Sequence, residues 1–284
     1  MFLEALRKVT GTLPSAPPAK RTAKVLNIAS GKGGTGKSVV ASNLAVLRAQ
    51  AGERVCLIDF DAGMANAHLL LGLVPKYDLG HVLDGQVSAG FALVDGPAGI
   101  KLLSGGVGRA ALQNPTPREL DRLFASLAQL EAAFDLIIVD HGAGMGVATV
   151  AHIAAAQSLL LVTTHEVTAL SDAYALYKHA LSVAPDLRTG VVMNRAPDEA
   201  TARGAWERFE GVARRHVGRV PEYVGRIPLD EAVLRSVQAR VPVALREPHS
   251  TAGESLRTVA RWDAIDMPNK ASRAFYESAR RALR

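Results

Sequence analysis

Residues 31–38 read Gly31-Lys32-Gly33-Gly34-Thr35-Gly36-Lys37-Ser38, a full match to G-x-x-x-x-G-K-[ST]. At average residue usage such a match arises by chance about once in a hundred chains of this length. An apolar run at 25–29 precedes it and a helical pattern at 39–50 comes after it, so the motif reads as a tight turn between a buried strand and a helix. The residue types suit one chemistry. Glycines let the backbone bend until its N–H groups converge on phosphate oxygens, and the helix N-terminus adds partial positive charge. Lys37 is placed to reach the β- and γ-phosphates of a nucleotide, and the Ser38 hydroxyl to ligate Mg²⁺.

The same strand–turn–helix alternation runs on through the chain. Apolar runs lie at 25–29, 55–58, 100–103, 136–139, 158–162, 190–193 and 223–227, and helical patterns at 37–51, 117–133, 171–183, 199–217 and 230–240. The runs are mostly continuous, as strands buried on both faces read. This order predicts an α/β fold with a doubly wound, mostly parallel sheet and helices on both faces. Ligands then sit at the carboxyl ends of the strands. The chain divides into three segments: 1–23, an appendage closing in a proline-rich linker; 24–262, a nucleotide domain; and 263–284, a C-terminal helix that docks on the domain or lies on a membrane surface. Within 1–23, Phe2, Leu3, Leu6 and Val9 recur at roughly helical spacing.

Two strand ends carry carboxylates. Asp59-Phe60-Asp61 closes the second run, and Leu136-Ile137-Ile138-Val139 ends in Asp140. Carboxylates at i and i+2 at a strand end can point at one metal–phosphate site, and Mg²⁺ keeps most of its water when bound this way. Gly142-Ala143-Gly144 comes just after Asp140 and can sense a γ-phosphate with a backbone N–H.

Composition narrows the setting. No apolar run reaches the eighteen or so residues that span a bilayer, the N-terminus lacks a secretory h-region, and Cys56 is the single cysteine. A cytoplasmic protein is expected. The net charge is +6, but the arginines are scattered without a polybasic block, so specific nucleic-acid binding is not expected.

The stretch K-G-G-T-G-K-S resembles the deviant Walker A loop of the MinD/ParA ATPases, and the likeness extends over about residues 24–262. That resemblance implies ATP and Mg²⁺ as the ligands, and it implies a role for each matching residue. Gly31, Gly33, Gly34, Thr35, Gly36, Lys37, Ser38 and Val39 would form the phosphate site, and Lys32 would cross a dimer interface to the partner's nucleotide. Asp61 would orient the attacking water, while Ser38, Asp59 and Asp140 would serve the Mg²⁺ shell. By the same resemblance Asn194 and Arg195 close a strand where an asparagine reads adenine, and Pro228 and Asp230 belong to a second base-wrapping element. Residue 141 is His where relatives usually carry Ser or Thr, and it is expected to face solvent.

Several stretches resemble the FlhG (YlxH, FleN) branch, which regulates flagellar number and placement. They are Asp61-Ala62-Gly63-Met64-Ala65-Asn66 with Leu70-Leu71-Gly72, and Val162-Thr163-Thr164-His165-Glu166 with Ser171-Asp172-Ala173-Tyr174. The resemblance implies an ATP-dependent homodimer with slow ATP hydrolysis. Its expected partners are an FlhF-like GTPase, flagellar switch proteins or a transcription regulator, with peripheral contact at the inner membrane face as a further expectation. The alternatives are a ParA-like partitioning ATPase, which binds DNA without sequence preference, and a scaffold that binds ATP without hydrolysing it.

Overall fold

Side chains alternate along a strand, so a run that is apolar throughout must feed two cores. The computed structural model describes residues 22–61, 65–106, 115–268 and 274–284. In it, Val25, Ile58, Ile137, Leu159 and Val191 face one layer of helices, and Leu26, Leu57, Ile138, Leu160 and Val192 face the other. The strands are β1 (Lys24–Ala29), β2 (Val55–Phe60), β3 (Val94–Asp95), β4 (Lys101–Leu103), β5 (Leu136–His141), β6 (Ser158–Thr163), β7 (Arg188–Ala196) and β8 (Glu222–Pro228). Their order across the sheet is β3-β4-β2-β5-β1-β6-β7-β8, parallel throughout except for β3 against β4. Strand order reverses around β1, which places the phosphate loop at the crevice where an open α/β sheet binds ligands.

The longer helices are α1 (Lys37–Gln50), α2 (Pro117–Leu127), α3 (Val147–Ala155), α4 (Val167–Val183), α5 (Glu199–His216), α6 (Glu231–Ala239), α7 (Thr251–Val259) and α8 (Phe275–Ala282). Helices α1, α6 and α7 pack on one face, and α2 to α5 with α8 on the other. The expected fold class is therefore present, with local differences. Helix α4 starts at Val167 rather than at 171. Helix α2 ends at Leu127 and passes into a 3₁₀ turn over Ala128–Ala132. The two-residue β3 is too short to leave a sequence pattern. The segment of α3, Val-Ala-Thr-Val-Ala-His-Ile-Ala-Ala, is apolar on nearly every face and shows no amphipathic period.

Contacts cross the expected boundary at 263. Asp266 bridges Lys24 at 2.7 Å and Arg48 at 2.5 Å, tying the chain back to the first strand and first helix. Phe275, Tyr276 and Ala279 of α8 are buried against α2 and α3. Helix α8 has no side-chain cap of its own. Instead the buried Glu131 carboxylate accepts the backbone N–H groups of Phe275 and Tyr276, each at 2.8 Å. Arg280 makes a two-pronged ion pair with Asp121 at 2.9 Å. For residues 274–284 the docked arrangement is the one present. Residues 1–21, with Phe2, Leu3, Leu6 and Val9, lie outside the described residues.

Glu131→Ala removes both acceptors from a buried helix start. The chain is expected to lose about 2 kcal/mol of stability. A shift in the urea midpoint without a change in slope checks this; a loss under about 0.5 kcal/mol would contradict the capping role.

Candidate nucleotide site

Parallel register brings three chain segments to one point. Ile28 of β1 and Asp59 of β2 both stand opposite Asp140 of β5, so the phosphate loop leaves β1 directly beside two strand-end aspartates. The loop needs its glycines. Gly34 and Gly36 have φ of 78° and 86°, the left-handed region that glycine enters without cost. A Cβ on Gly31 would stand 2.2 Å from the Asp172 backbone, so α4 closes tightly on the start of the loop.

Lys37 is nearly buried, at 7% exposure, and its Nζ donates to Asp140 Oδ1 at 2.8 Å. Asp140 is fully buried. Burial pushes its carboxyl pKa up, and the neighbouring Lys37 charge works against that rise. Asp140 Oδ2 is buried and has no hydrogen-bond partner among the described residues, which leaves an oxygen available to a hard cation's water shell. Ser38 Oγ lies 3.5 Å from the Lys37 ammonium. Ser38 and Asp140 supply oxygen only, so the donor set fits Mg²⁺ with its water shell. The loop opens into a cleft of about 710 Å³ that Asp61, Leu69, Leu70, Val237 and Arg240 also line, within the range of small-molecule sites. Leu69 and Leu70 lie in the FlhG-like stretch; Val237 and Arg240 carried no sequence signal.

The two aspartates at the end of β2, Asp59 within it and Asp61 just beyond it, have different surroundings. Asp61 lines the cleft and faces the turn at 142–146: a Cβ on Gly142 would meet its carboxylate at 3.5 Å. Asp59, expected in the Mg²⁺ shell, has both oxygens engaged. It accepts Asp61 N–H at 3.1 Å and Ala67 N–H at 3.0 Å, so it clamps the two ends of the 61–67 segment. Burial raises the Asp59 pKa, and the charge of Asp140 adds to the rise. Asp59 thereby fixes the backbone of Asp61 beside the cleft.

Asn194 is buried and donates from Nδ2 to Thr35 O at 2.7 Å, and Arg195, with a left-handed φ of 56°, donates to Gly34 O at 3.3 Å. Both hold the phosphate loop from β7. The second base element is more occupied than expected. Pro228 is buried in the pairing of β7 and β8, and Asp230 caps α6 through Ala232 N–H at 2.8 Å while accepting Ala252 N–H at 3.0 Å. Neither lines the cleft described above.

His141 departs furthest from expectation. It is fully buried, not solvent-facing, and one ring nitrogen pairs with Asn27 Oδ1 at 2.9 Å. Alternation explains this: Asp140 points to the α1 face, so His141 points to the other. There it meets His152, also fully buried, at 5.1 Å between ring centroids. Burial lowers both imidazoles well below their ordinary value, His152 to about 3, so both are neutral. Asn27 and His152 had no spacing that marked them in the sequence.

Lys32 stays at the surface, 44% exposed. Its Nζ donates to Thr168 Oγ1 at 3.0 Å and lies 3.6 Å from Glu166 Oε2, both at the start of α4.

A glycine-bent loop, a buried lysine and three strand-end carboxylates at a sheet switch point define a P-loop nucleoside triphosphatase. The profile of the CobQ/CobB/MinD/ParA nucleotide binding domain matches residues 26–243. The antiactivator FleN of Pseudomonas aeruginosa is 34% identical over 84% of this chain and 85% of its own. The flagellum site-determining protein YlxH of Helicobacter pylori is 27% identical over 91% of this chain and 90% of its own. The crystal structure of the cell division ATPase MinD from Pyrococcus furiosus superposes with a TM-score of 0.70 at 26% identity, covering 86% of this chain and 98% of that one. The chain belongs to the CobQ/CobB/MinD/ParA family and is a MinD-like ATPase of its FleN/YlxH branch.

Lys37→Ala tests the loop directly. Lys37 is the loop's one buried ammonium, and removing such a donor from a phosphate site costs on the order of 100-fold or more. ATP affinity measured by calorimetry is expected to fall at least that far, with turnover lost. Near-normal turnover would contradict the assignment.

Proposed function

We propose that this MinD-like ATPase is an ATP-dependent dimerisation switch that regulates flagellar number or placement. The observation that carries the reading is the division of labour between the two loop lysines. Lys37 is held inside its own site against Asp140, whereas Lys32 stands on the rim with only surface partners, Thr168 and Glu166. A lysine so placed is free to exchange those partners for a phosphate of a second protomer. Contact there, closed off from water, makes a charge count for more than it does at a surface.

The chain's own residues then divide the reaction. The backbone N–H groups of residues 33–37 and the Lys37 ammonium orient the phosphates. Ser38 and Asp140 are the residues that would hold Mg²⁺, which when bound offsets phosphate charge. Asp61 orients the attacking water, with its backbone fixed by Asp59. Lys32 from the partner adds charge stabilisation at the γ-phosphate, as an arginine finger does in other P-loop enzymes. Turnover is slow until two protomers meet, and hydrolysis releases the pair. YlxH is a flagellum site-determining protein and FleN an antiactivator by their names, and the likeness to both over most of the chain supports a flagellar regulatory role here. The effector is a flagellar protein: an FlhF-like GTPase, a switch-complex protein or a transcription regulator. No helix among the described residues is long and apolar enough to cross a membrane.

Lys32→Ala is expected to leave ADP affinity within about twofold of the parent while abolishing ATP-dependent dimers and the dimer-coupled turnover. Calorimetry with ADP, and light scattering with ATP in an Asp61→Ala background to block hydrolysis, check the pair. Full dimerisation of the variant would overturn the switch; equal loss of ADP binding and dimerisation would place Lys32 in its own site.

A further inference from the structure

Each strand end that presents an aspartate to the nucleotide cleft sends its neighbour to the opposite face of the sheet. Phe60 lies between Asp59 and Asp61, His141 adjoins Asp140, and the two are cross-strand partners. Both turn onto one side chain, His152 of α3. Its ring centroid is 4.8 Å from Phe60 and 5.1 Å from His141. Phe124 of α2 stands at 4.6 Å, and Phe275 and Tyr276 of α8 at 5.7 Å and 5.6 Å. His152 is fully buried, and neither of its ring nitrogens has a hydrogen-bond partner among the described residues. No polar contact therefore fixes the ring. Its place is set by five aromatic neighbours, two of which belong to the C-terminal helix.

Those two are themselves held from a distance. Glu131 secures the first turn of α8, and Asp121 pairs with Arg280 one turn further on. On the other side, His141 is tied to Asn27 of β1, three residues before Ser30, where the phosphate loop begins. Helix α3 begins directly after the 142–146 turn that faces Asp61. The cluster thus touches the strand ends of both hydrolytic aspartates and the helix that leaves their connecting turn. Helix α1, which starts at Lys37, packs on the opposite face of the sheet.

We propose that His152 is a positioning residue for ATP hydrolysis, which transmits the docking of α8 through Phe60 to Asp61. The inference rests on the ATPase reading of this site. A close-packed interior yields by displacement of neighbours and not by compression. Removing the His152 ring, or the α8 aromatics that hold it, lets Phe60 shift, and Asp61 beside it shifts too, while Asp140 stays held by Lys37 at 2.8 Å and His141 by Asn27. A misplacement of about 1 Å costs on the order of 100-fold in rate. Nucleotide affinity, set on the other face by Lys37 and the loop amides, stays where it was. The C-terminal helix is then a working part of the ATPase site, and anything that lifts α8 slows hydrolysis without releasing nucleotide.

The test uses the full chain with four variants: His152→Ala, Phe275→Ala, the double variant, and His152→Phe. ADP affinity is read by calorimetry and kcat at saturating ATP and fixed protein concentration. Each alanine variant is expected to lower kcat about tenfold or more, with ADP affinity within about twofold of the parent. The double variant is expected to be no slower than the worse single one, because both act through one route. His152→Phe, which keeps the ring contacts, is expected to recover kcat to within about threefold of the parent. Unchanged kcat in the single variants overturns the proposal, as do losses that multiply, or a fall in ADP affinity parallel to the fall in kcat. Failure of His152→Phe to recover kcat likewise overturns transmission by ring packing. A parent chain that binds ADP but shows no turnover overturns the ATPase reading itself, and this inference with it.

Discussion

Lys37 and Asp140 are 103 residues apart in sequence and meet at 2.8 Å beneath the phosphate loop, the lysine nearly buried and the aspartate wholly so. A buried ion pair is expensive to assemble and more expensive to break, since removal of one partner strands the other at about 3–5 kcal/mol. The fold is arranged so that this pair forms. The parallel pairing of β1 with β5 sets Ile28 opposite Asp140, and the loop that leaves β1 then delivers Lys37 one turn of chain later. Asp59 arrives beside Asp140 by the same means from β2. Register, a property of backbone hydrogen bonding, thus decides which charges share the site.

The sheet separates two tasks by the alternation of its side chains. One face carries Asp59, Asp140 and α1, where phosphate and metal are handled. The other carries Asn27, Phe60 and His141, which pack on α3 and, through His152, on α8. Dense packing on that second face gives the strand ends a rigid backing. The C-terminal helix belongs to this backing, with Glu131 and Asp121 as its anchors.

The phosphate loop, the aspartates and the parallel sheet were legible in the sequence because each rests on local chemistry or a run of like residues. Gly34 and Gly36 announce their left-handed turns, and Val25 to Ala29 announce a strand buried on both faces. The rest was hidden for definite reasons. His141 looked exposed because a residue after a strand end usually is, and the partners that bury it, Asn27, Phe60 and His152, come from other elements. Asp59 is expected at the metal from its strand-end position, but sequence cannot show that its carboxylate also accepts the amides of Asp61 and Ala67. Asp230 is expected in the base-wrapping element, and sequence did not show that its side chain also caps α6 and holds Ala252. Helix α3 was missed because a helix buried on nearly all sides has no polar stripe, and α8 could not be placed because its contacts with Glu131 and Asp121 are non-local.

The central claim is that a site complete in one protomer for binding is completed for hydrolysis by a second. ATP turnover per protomer, measured against protein concentration at saturating ATP and Mg²⁺, tests this most directly. The account predicts a rate per protomer that rises with concentration and levels off as the dimer fraction, tracked in parallel by light scattering, reaches its maximum. A rate per protomer that is independent of concentration while dimers form would contradict it.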